Sequence, residues 1–241
     1  MEPTRSWLIE GLSSCGLGDD CEGYLYGRGA TEDAIQVMGI KEWTPPATEC
    51  PDYTFRKKYG PRGEALTGYV AIPFLSPSGL LFGVEFRCWQ EKIIMDFRLP
   101  DAEWIPGIIN APEAAYRMWN GGPIWVVEGV YDLFAIRRSV PSTHAVISTV
   151  RAGMDKATQN FIKRFCKSCV IMAYDNDSTG RRVTNGWIDK NTGKRKYGVV
   201  ERLQREGIRV VNYSYRGKDP GEVWSAGGQT ALKEEFGEAS I

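Results

Sequence analysis

Ile124-Trp125-Val126-Val127-Glu128-Gly129-Val130-Tyr131-Asp132 is the stretch whose reading decides the fold. Its four leading residues are apolar without alternation, so they read as a strand covered on both faces, as in a parallel sheet. Working outward, Tyr131–Arg138 reads as a helix, Ala145–Thr149 as a strand and Asp155–Phe165 as a helix. Cys169–Tyr174 is a second continuous apolar strand, and a helix begins at about Arg181. A polar excursion over Asp189–Lys196 precedes helix Val199–Glu206 and strand Arg209–Tyr213. Strands alternating with helices predict an α/β lobe, a mostly parallel sheet flanked by helices.

Upstream of Pro123 the pattern differs. Thr31–Met38 reads as a short helix with Thr31 as its N-cap. Residues 44–63, rich in Pro, Gly and charge, read as a long loop. Tyr69–Leu75 and Leu80–Arg87 read as strands joined by the turn Ser76–Gly79, with Lys92–Leu99 as a third strand and Asn110–Trp119 as a helix. The expected organisation is a mixed α+β lobe over 1–122, the α/β lobe over 123–222 and a helical tail over 223–241.

In open parallel sheets function collects at the carboxyl ends of the strands. This sequence places acids at three such ends: Glu128 and Asp132, then Asp175 and Asp177 in Asp175-Asn176-Asp177-Ser178-Thr179-Gly180, then Asp219 in Lys218-Asp219-Pro220. Carboxylates gathered at one edge repel one another unless cations compensate. A hard divalent ion held by oxygens, Mg²⁺ or Mn²⁺, is the economical explanation.

Composition removes other classes. Of 241 residues, 42% are hydrophobic and 25% charged, so the chain is not a disordered one. No apolar run approaches the ~20 residues needed to span a bilayer, and the first twelve residues lack a signal pattern, so no membrane association is expected. His144 is the sole histidine, which excludes metal sites that need two. Cys166–Cys169, without a second pair, reads as two buried thiols, and no zinc is expected. The net charge of zero hides an asymmetry: residues 1–50 carry nine acids and three bases, and residues 151–209 carry fourteen bases and six acids. Two basic knots, Arg56, Lys57, Lys58 and Arg62, then Lys190, Lys194, Arg195 and Lys196, lie beside Tyr53, Phe55, Tyr59, Trp187 and Tyr197. Cations next to rings suit single-stranded nucleic acid.

Glu128-Gly129 after one apolar strand and Asp175-x-Asp177 after a later one resemble the TOPRIM domain of bacterial-type primases, topoisomerases and some nucleases. Tyr24-Leu25-Tyr26-Gly27-Arg28-Gly29-Ala30-Thr31 resembles the opening of the DnaG-like primase catalytic core. Ile72-Pro73-Phe74 with Gly83-Val84-Glu85-Phe86-Arg87 resembles its hairpin. Asn110-Ala111-Pro112-Glu113 resembles its link into TOPRIM, and Lys218-Asp219-Pro220 a later motif. The resemblance covers roughly residues 24–222.

It implies RNA primer synthesis on a single-stranded DNA template from ribonucleoside triphosphates. Glu128, Asp175 and Asp177 would be catalytic. These three with Asp132 and Asp219 would hold two or more Mg²⁺ or Mn²⁺ ions. Arg28 and Arg87 would face nucleotide or template, joined by Arg56, Lys57, Lys58, Lys194, Arg195 and Lys196. Gly221 stands where the family has a second acid, and Gly107 where it has a lysine. With no zinc-binding module or helicase-binding region expected in the chain, a replicative helicase or separate zinc-module protein would be the partner. Such a compact core suits a phage or mobile element, acting in the bacterial cytoplasm. The alternatives are a TOPRIM nuclease and a degenerate primase-like protein that binds DNA or a replisome without catalysis.

Overall fold

The computed structural model describes residues 3–13, 16–91, 93–99 and 106–236. Two compact units divide between residues 105 and 106.

The first unit begins with helices α1 (Pro3–Ser13), α2 (Asp19–Gly27) and α3 (Glu32–Met38). Thr31 caps α3, its hydroxyl accepting the Ala34 N–H at 3.1 Å. Strand β1 (Lys41–Glu42) leads to helix α4 (Tyr53–Tyr59), then to β2 (Val70–Leu75), β3 (Leu81–Arg87) and β4 (Ile94–Arg98). These strands form one antiparallel sheet in the order β1-β2-β3-β4. Every residue of β3 is buried. The core beside the sheet is aromatic: the Trp7 ring lies 5.0 Å from Phe55, and Trp43 lies 5.2 Å from Phe86.

Helix α4 corrects the expected 44–63 loop. Asp52 Oδ1 accepts the Phe55 N–H at 2.7 Å and starts the helix. Phe55 and Tyr59, four residues apart on one helical face, are both buried in that aromatic core. Proline- and glycine-rich flanks conceal a two-turn helix whose stability comes from packing rather than propensity.

The second unit begins with α5 (Ala111–Trp119), β5 (Ile124–Val127), α6 (Val130–Ser139) and β6 (Ala145–Ser148). It continues with α7 (Lys156–Phe165), β7 (Cys169–Met172), α8 (Ser178–Asn185), a small hairpin of β8 (Gly186–Ile188) and β9 (Arg195–Tyr197), and α9 (Val199–Arg205). Strand β10 (Arg209–Asn212) and helix α10 (Pro220–Phe236) complete it. The sheet runs β10-β7-β5-β6 with every pair parallel, so the α/β expectation holds.

Two expected boundaries move. Helix α5 belongs to the second unit, because Ala111, Ala114, Ala115 and Met118 pack into the core that contains Ile124, Ala145 and Ile147. Asn110, in the left-handed region (φ 73°), donates from its side chain to the Val146 carbonyl at 3.0 Å and to Glu113 at 2.7 Å. The division therefore lies at 105/106, not 122/123. Residues 223–236 form no separate tail either. Helix α10 breaks at Gly227 and Gly228, and beyond the break Leu232 and Phe236 are buried, Phe236 lying 5.5 Å from the Tyr213 ring. Residues 237–241 of the expected tail, and Cys15, lie outside the described residues.

Candidate active site

Each acid is positioned by the strand that precedes it and the helix that follows. Strand β5 ends at Val127, and Glu128-Gly129 turns the chain into α6. Asp132, in the first turn of α6, reaches back so that its Oδ2 accepts the Gly129 N–H at 3.0 Å. Its Oδ1 accepts the Gly221 N–H, also at 3.0 Å, which joins the start of α6 to the start of α10. Asp177 caps α8, its Oδ1 accepting from Thr179 and Gly180 at 2.8 and 2.9 Å. Asp219 caps α10, its Oδ1 accepting the Glu222 N–H at 2.7 Å. Asp177 and Asp219 thus each use one oxygen on a helix N-terminus and Asp132 uses both, where the exposed amides and the helix dipole favour negative charge. The other oxygen of Asp177 and of Asp219 makes no such bond.

Glu128 is different. Its Oε1 is buried and has no hydrogen-bond partner. Burial first, then the charges of Asp175 and Asp177, push its carboxyl up to about 7. Burial and the charge of Asp219 push Asp132 up to about 7 as well. Asp175 is raised by burial and by Asp219, with Lys218 pulling the other way. The charges of Asp175, Asp177 and Asp132 act on Glu128 and that of Asp219 acts on Asp132 and Asp175, so the five sequence-predicted acids are neighbours at the sheet edge without converging on one point. Tyr215, buried behind them, has its hydroxyl pushed up by burial and by the same carboxylates; it donates to the Tyr174 carbonyl at 2.9 Å.

Close approach explains one glycine. A Cβ on Gly180 would sit 2.0 Å from the Asp175 carbonyl oxygen, so α8 can start against that strand end only without a side chain. At Gly221, where the resemblance leads one to expect a further acid, a Cβ would lie 3.3 Å from both Asp132 Oδ1 and Asp219 Oδ1. An acidic side chain there would start among carboxylates already in conflict. Its absence removes one charge from the edge.

The donor set fits a hard divalent cation: carboxylate oxygens throughout, one of them buried and unsatisfied. Among the described residues, no three acids already converge into a ready-made cage. A bound ion would have to gather them.

Sequence reasoning missed three supporting residues. Lys218 Nζ lies 3.7 Å from Asp175 Oδ2 and 3.8 Å from Asp219 Oδ2. Asn176, between two predicted acids, donates its backbone N–H to the Lys218 carbonyl at 2.6 Å and holds the two loops together. Ser148 donates its hydroxyl to the Glu128 carbonyl at 2.7 Å and accepts the N–H of Val150. That bond helps hold Val150 in the left-handed region (φ 67°), a strained place for a β-branched residue. A lysine beside an acid is visible in a sequence; a serine that ties two strand ends is not.

The basic candidates fare unequally. Lys194, Arg195 and Lys196 are exposed on the β8–β9 hairpin. The Arg182 guanidinium lies over the Trp187 ring at 4.4 Å and that of Arg205 over Tyr197 at 3.7 Å, while Arg195 also pairs with Glu201 at 3.0 Å. In the first unit, Lys57 and Lys58 are exposed, and Lys58 lies over Tyr59 at 4.8 Å. Arg56 is committed elsewhere, donating to the Cys50 carbonyl at 2.6 Å. Phe55 and Tyr59 are core residues, so of the rings in that knot Tyr53 alone is exposed. Arg28, half-buried at the end of α2, lies over Tyr24 at 5.5 Å. Arg87 corrects the expectation: it is buried in an ion pair with Glu85, itself fully buried, and not an open cation. His144 is structural, its Nδ1 accepting the Trp125 indole N–H at 3.1 Å. Cys169 is buried, whereas Cys166 is only partly so.

Residues 125–224 match the family model described as Toprim-like. Among curated proteins, none matches the sequence. Solved structures match in fold. The zinc-binding and RNA polymerase domains of Aquifex aeolicus primase share 17% identity, with 97% of this chain and 61% of that chain covered and a TM-score of 0.65. The DnaG primase catalytic domain bound to single-stranded DNA shares 14%, covering 97% and 79%, with a TM-score of 0.61. The primase fragment of the bacteriophage T7 primase–helicase protein shares 16%, covering 87% and 72%, with a TM-score of 0.57. The chain spans about three fifths of the length of the Aquifex chain. At these identities the likeness is one of fold: this chain has the fold of the DnaG catalytic core, and its second unit carries the Toprim-like region. Among the described residues no helix is long and apolar enough to cross a membrane.

Proposed function

We propose that this chain is the catalytic core of a primase, joining ribonucleotides into short RNA primers on single-stranded DNA. One observation carries the reading. Acids from three strand ends meet at the carboxyl edge of a Toprim-like sheet, and one of them, Glu128, has a buried oxygen without a hydrogen-bond partner.

In nucleotidyl transfer a 3′-hydroxyl attacks an α-phosphate and pyrophosphate leaves. Bound Mg²⁺ or Mn²⁺ would supply the positive charge that offsets the negative charge gathering on the phosphates and would make the hydroxyl more acidic. Glu128, Asp175, Asp177 and Asp219 would hold the ions, with Asp132 fixing the junction of α6 and α10 from within. Helix caps orient Asp177 and Asp219, and Ser148 holds the backbone at Glu128, so the backbone at these acids is fixed and the side chains have to close on the ion. Arg28, Lys57, Lys58, Lys194, Arg195 and Lys196 would hold template phosphates. Those contacts carry no sequence information. A separate zinc-module protein or a replicative helicase would supply template choice, in the cytoplasm of a bacterium hosting a phage or mobile element.

The test is incubation of the chain with a mixed single-stranded DNA library, labelled ribonucleotides and Mg²⁺ or Mn²⁺. Short labelled RNA with dispersed start sites is expected. Cleaved template in place of new RNA would make the chain a nuclease. DNA retention with neither product would make it a binding protein.

A further inference from the structure

Lys218 sits where two acid-bearing loops meet, after β7 and after β10. Its backbone is fixed. The N–H donates to the Glu222 carboxylate, and the carbonyl accepts from Asn176 at 2.6 Å and from the Tyr215 hydroxyl at 3.3 Å. Its side chain is not fixed. It is 57% exposed, and its ammonium stands 3.7 and 3.8 Å from single oxygens of Asp175 and Asp219. Both distances are within ion-pair range and beyond hydrogen-bond length. The ammonium therefore balances charge while leaving the carboxylate lone pairs uncommitted. An arginine in this place would fork onto one carboxylate and occupy it.

Resting on the metal-dependent reading above, we infer that Lys218 is an exchangeable counter-ion. It neutralises Asp175 and Asp219 in the metal-free chain and swings outward when a divalent cation binds to them. Three features fit that task. A four-carbon stem on an anchored backbone keeps the ammonium within reach after displacement. Its exposure means that leaving uncovers little buried surface. Two acids on different loops share it, so its departure frees both together. The geometry also explains how Asp175 and Asp219 lie at one edge before any ion arrives.

The experiment is Mn²⁺ binding to the intact chain, measured by calorimetry or by the electron-spin resonance of free Mn²⁺, at low ionic strength and pH 8. Wild type, Lys218→Met and Lys218→Arg are compared, with thermal melting of each. Removing a competing charge near the ion should tighten Mn²⁺ binding in Lys218→Met by about three- to tenfold. Lys218→Arg, which keeps the charge, should bind no more tightly than wild type. Without metal, Lys218→Met should melt below wild type, and saturating Mn²⁺ should close that gap. Equal or weaker Mn²⁺ binding by Lys218→Met, or equal tightening by Lys218→Arg, would overturn the counter-ion role and leave the metal reading standing. No Mn²⁺ binding by any of the three would overturn both.

Discussion

Two glutamates fifteen residues apart in the second unit meet opposite fates. Glu113, in the first turn of α5, is surrounded by donors: Arg117 and Arg137 at 2.6 Å and the Asn110 amide at 2.7 Å. Burial raises its carboxyl pKa, but the hydrogen bonds from Arg137 and Asn110 and the charges of both arginines outweigh burial, and the result lies below the ordinary value. Glu128 is also withdrawn from water, but its neighbours are Asp175 and Asp177, and its carboxyl is pushed up to about 7. Charge that serves the fold arrives with its partners in the same chain. Charge left uncompensated beside more of its own sign requires something from outside, and that is the physical argument for function at the sheet edge.

The largest effect tests the compensated side. Glu113→Ala leaves two largely buried guanidiniums without their shared carboxylate, and should cost about 3–5 kcal/mol. The urea midpoint of the metal-free chain should fall accordingly; a loss under 1 kcal/mol would mean the cluster is solvated. Next, Asp175→Ala should lower primer synthesis by at least about a hundredfold, the scale of losing one charge-stabilising group. The same variant should melt at or above the wild-type temperature without metal, because a repelling charge is gone. Unchanged product yield would remove Asp175 from the site.

The two glutamates also separate in pH. Glu128 and Asp132 are raised in the folded state, so the unfolded chain ionises first. Their contribution to metal-free stability is intact below about pH 4, falls as pH rises toward 7, and is level above that. Glu113 is depressed, so its contribution is present above its unfolded value near 4.5 and is lost as pH falls through its folded value. Melting curves across pH 3 to 8 should therefore bend twice, and saturating divalent cation should suppress the bend toward neutrality alone. A single acid transition would show that the edge is solvated. The smallest effect lies outside both clusters. Neutralising Lys194, Arg195 and Lys196 together should flatten the salt dependence of single-strand binding by about two units. A slope equal to wild type would make the hairpin a solvated surface.

Much of this was legible in the sequence, and the reason differs from residue to residue. Glu128 and Asp175 could be placed because each follows a continuous apolar run, and Asp219 because it follows the strand Arg209–Tyr213; parallel strands deliver their ends to one edge. Asn110-Ala111-Pro112-Glu113 could be matched as a pattern but not understood, since its meaning rests on a left-handed backbone at Asn110 and on Arg137, twenty-four residues beyond Glu113. Arg87 misleads because its role comes from the resemblance alone, whereas β3 is buried along its whole length and Arg87 pairs with Glu85. Helix α4 was hidden because two turns held by Phe55 and Tyr59 leave no periodicity long enough to detect. Lys218 is visible in the sequence only as part of a motif; its stance between two loops comes from the fold.

The break in α10 has a consequence for anyone shortening or tagging this protein. Before the break, Glu222 accepts the Lys218 N–H; beyond it, Glu235 accepts the Arg216 N–H at 2.9 Å and its carbonyl accepts the Tyr213 hydroxyl. The loop that carries Asp219 is thus slung like a hammock between two posts, one at each end of a bent helix. Cut the far post at Gly228 and all five acids remain in the chain, but Arg216 and Tyr213 lose their anchor. A protein that keeps every acid would still lack the anchor that residues 229–236 supply.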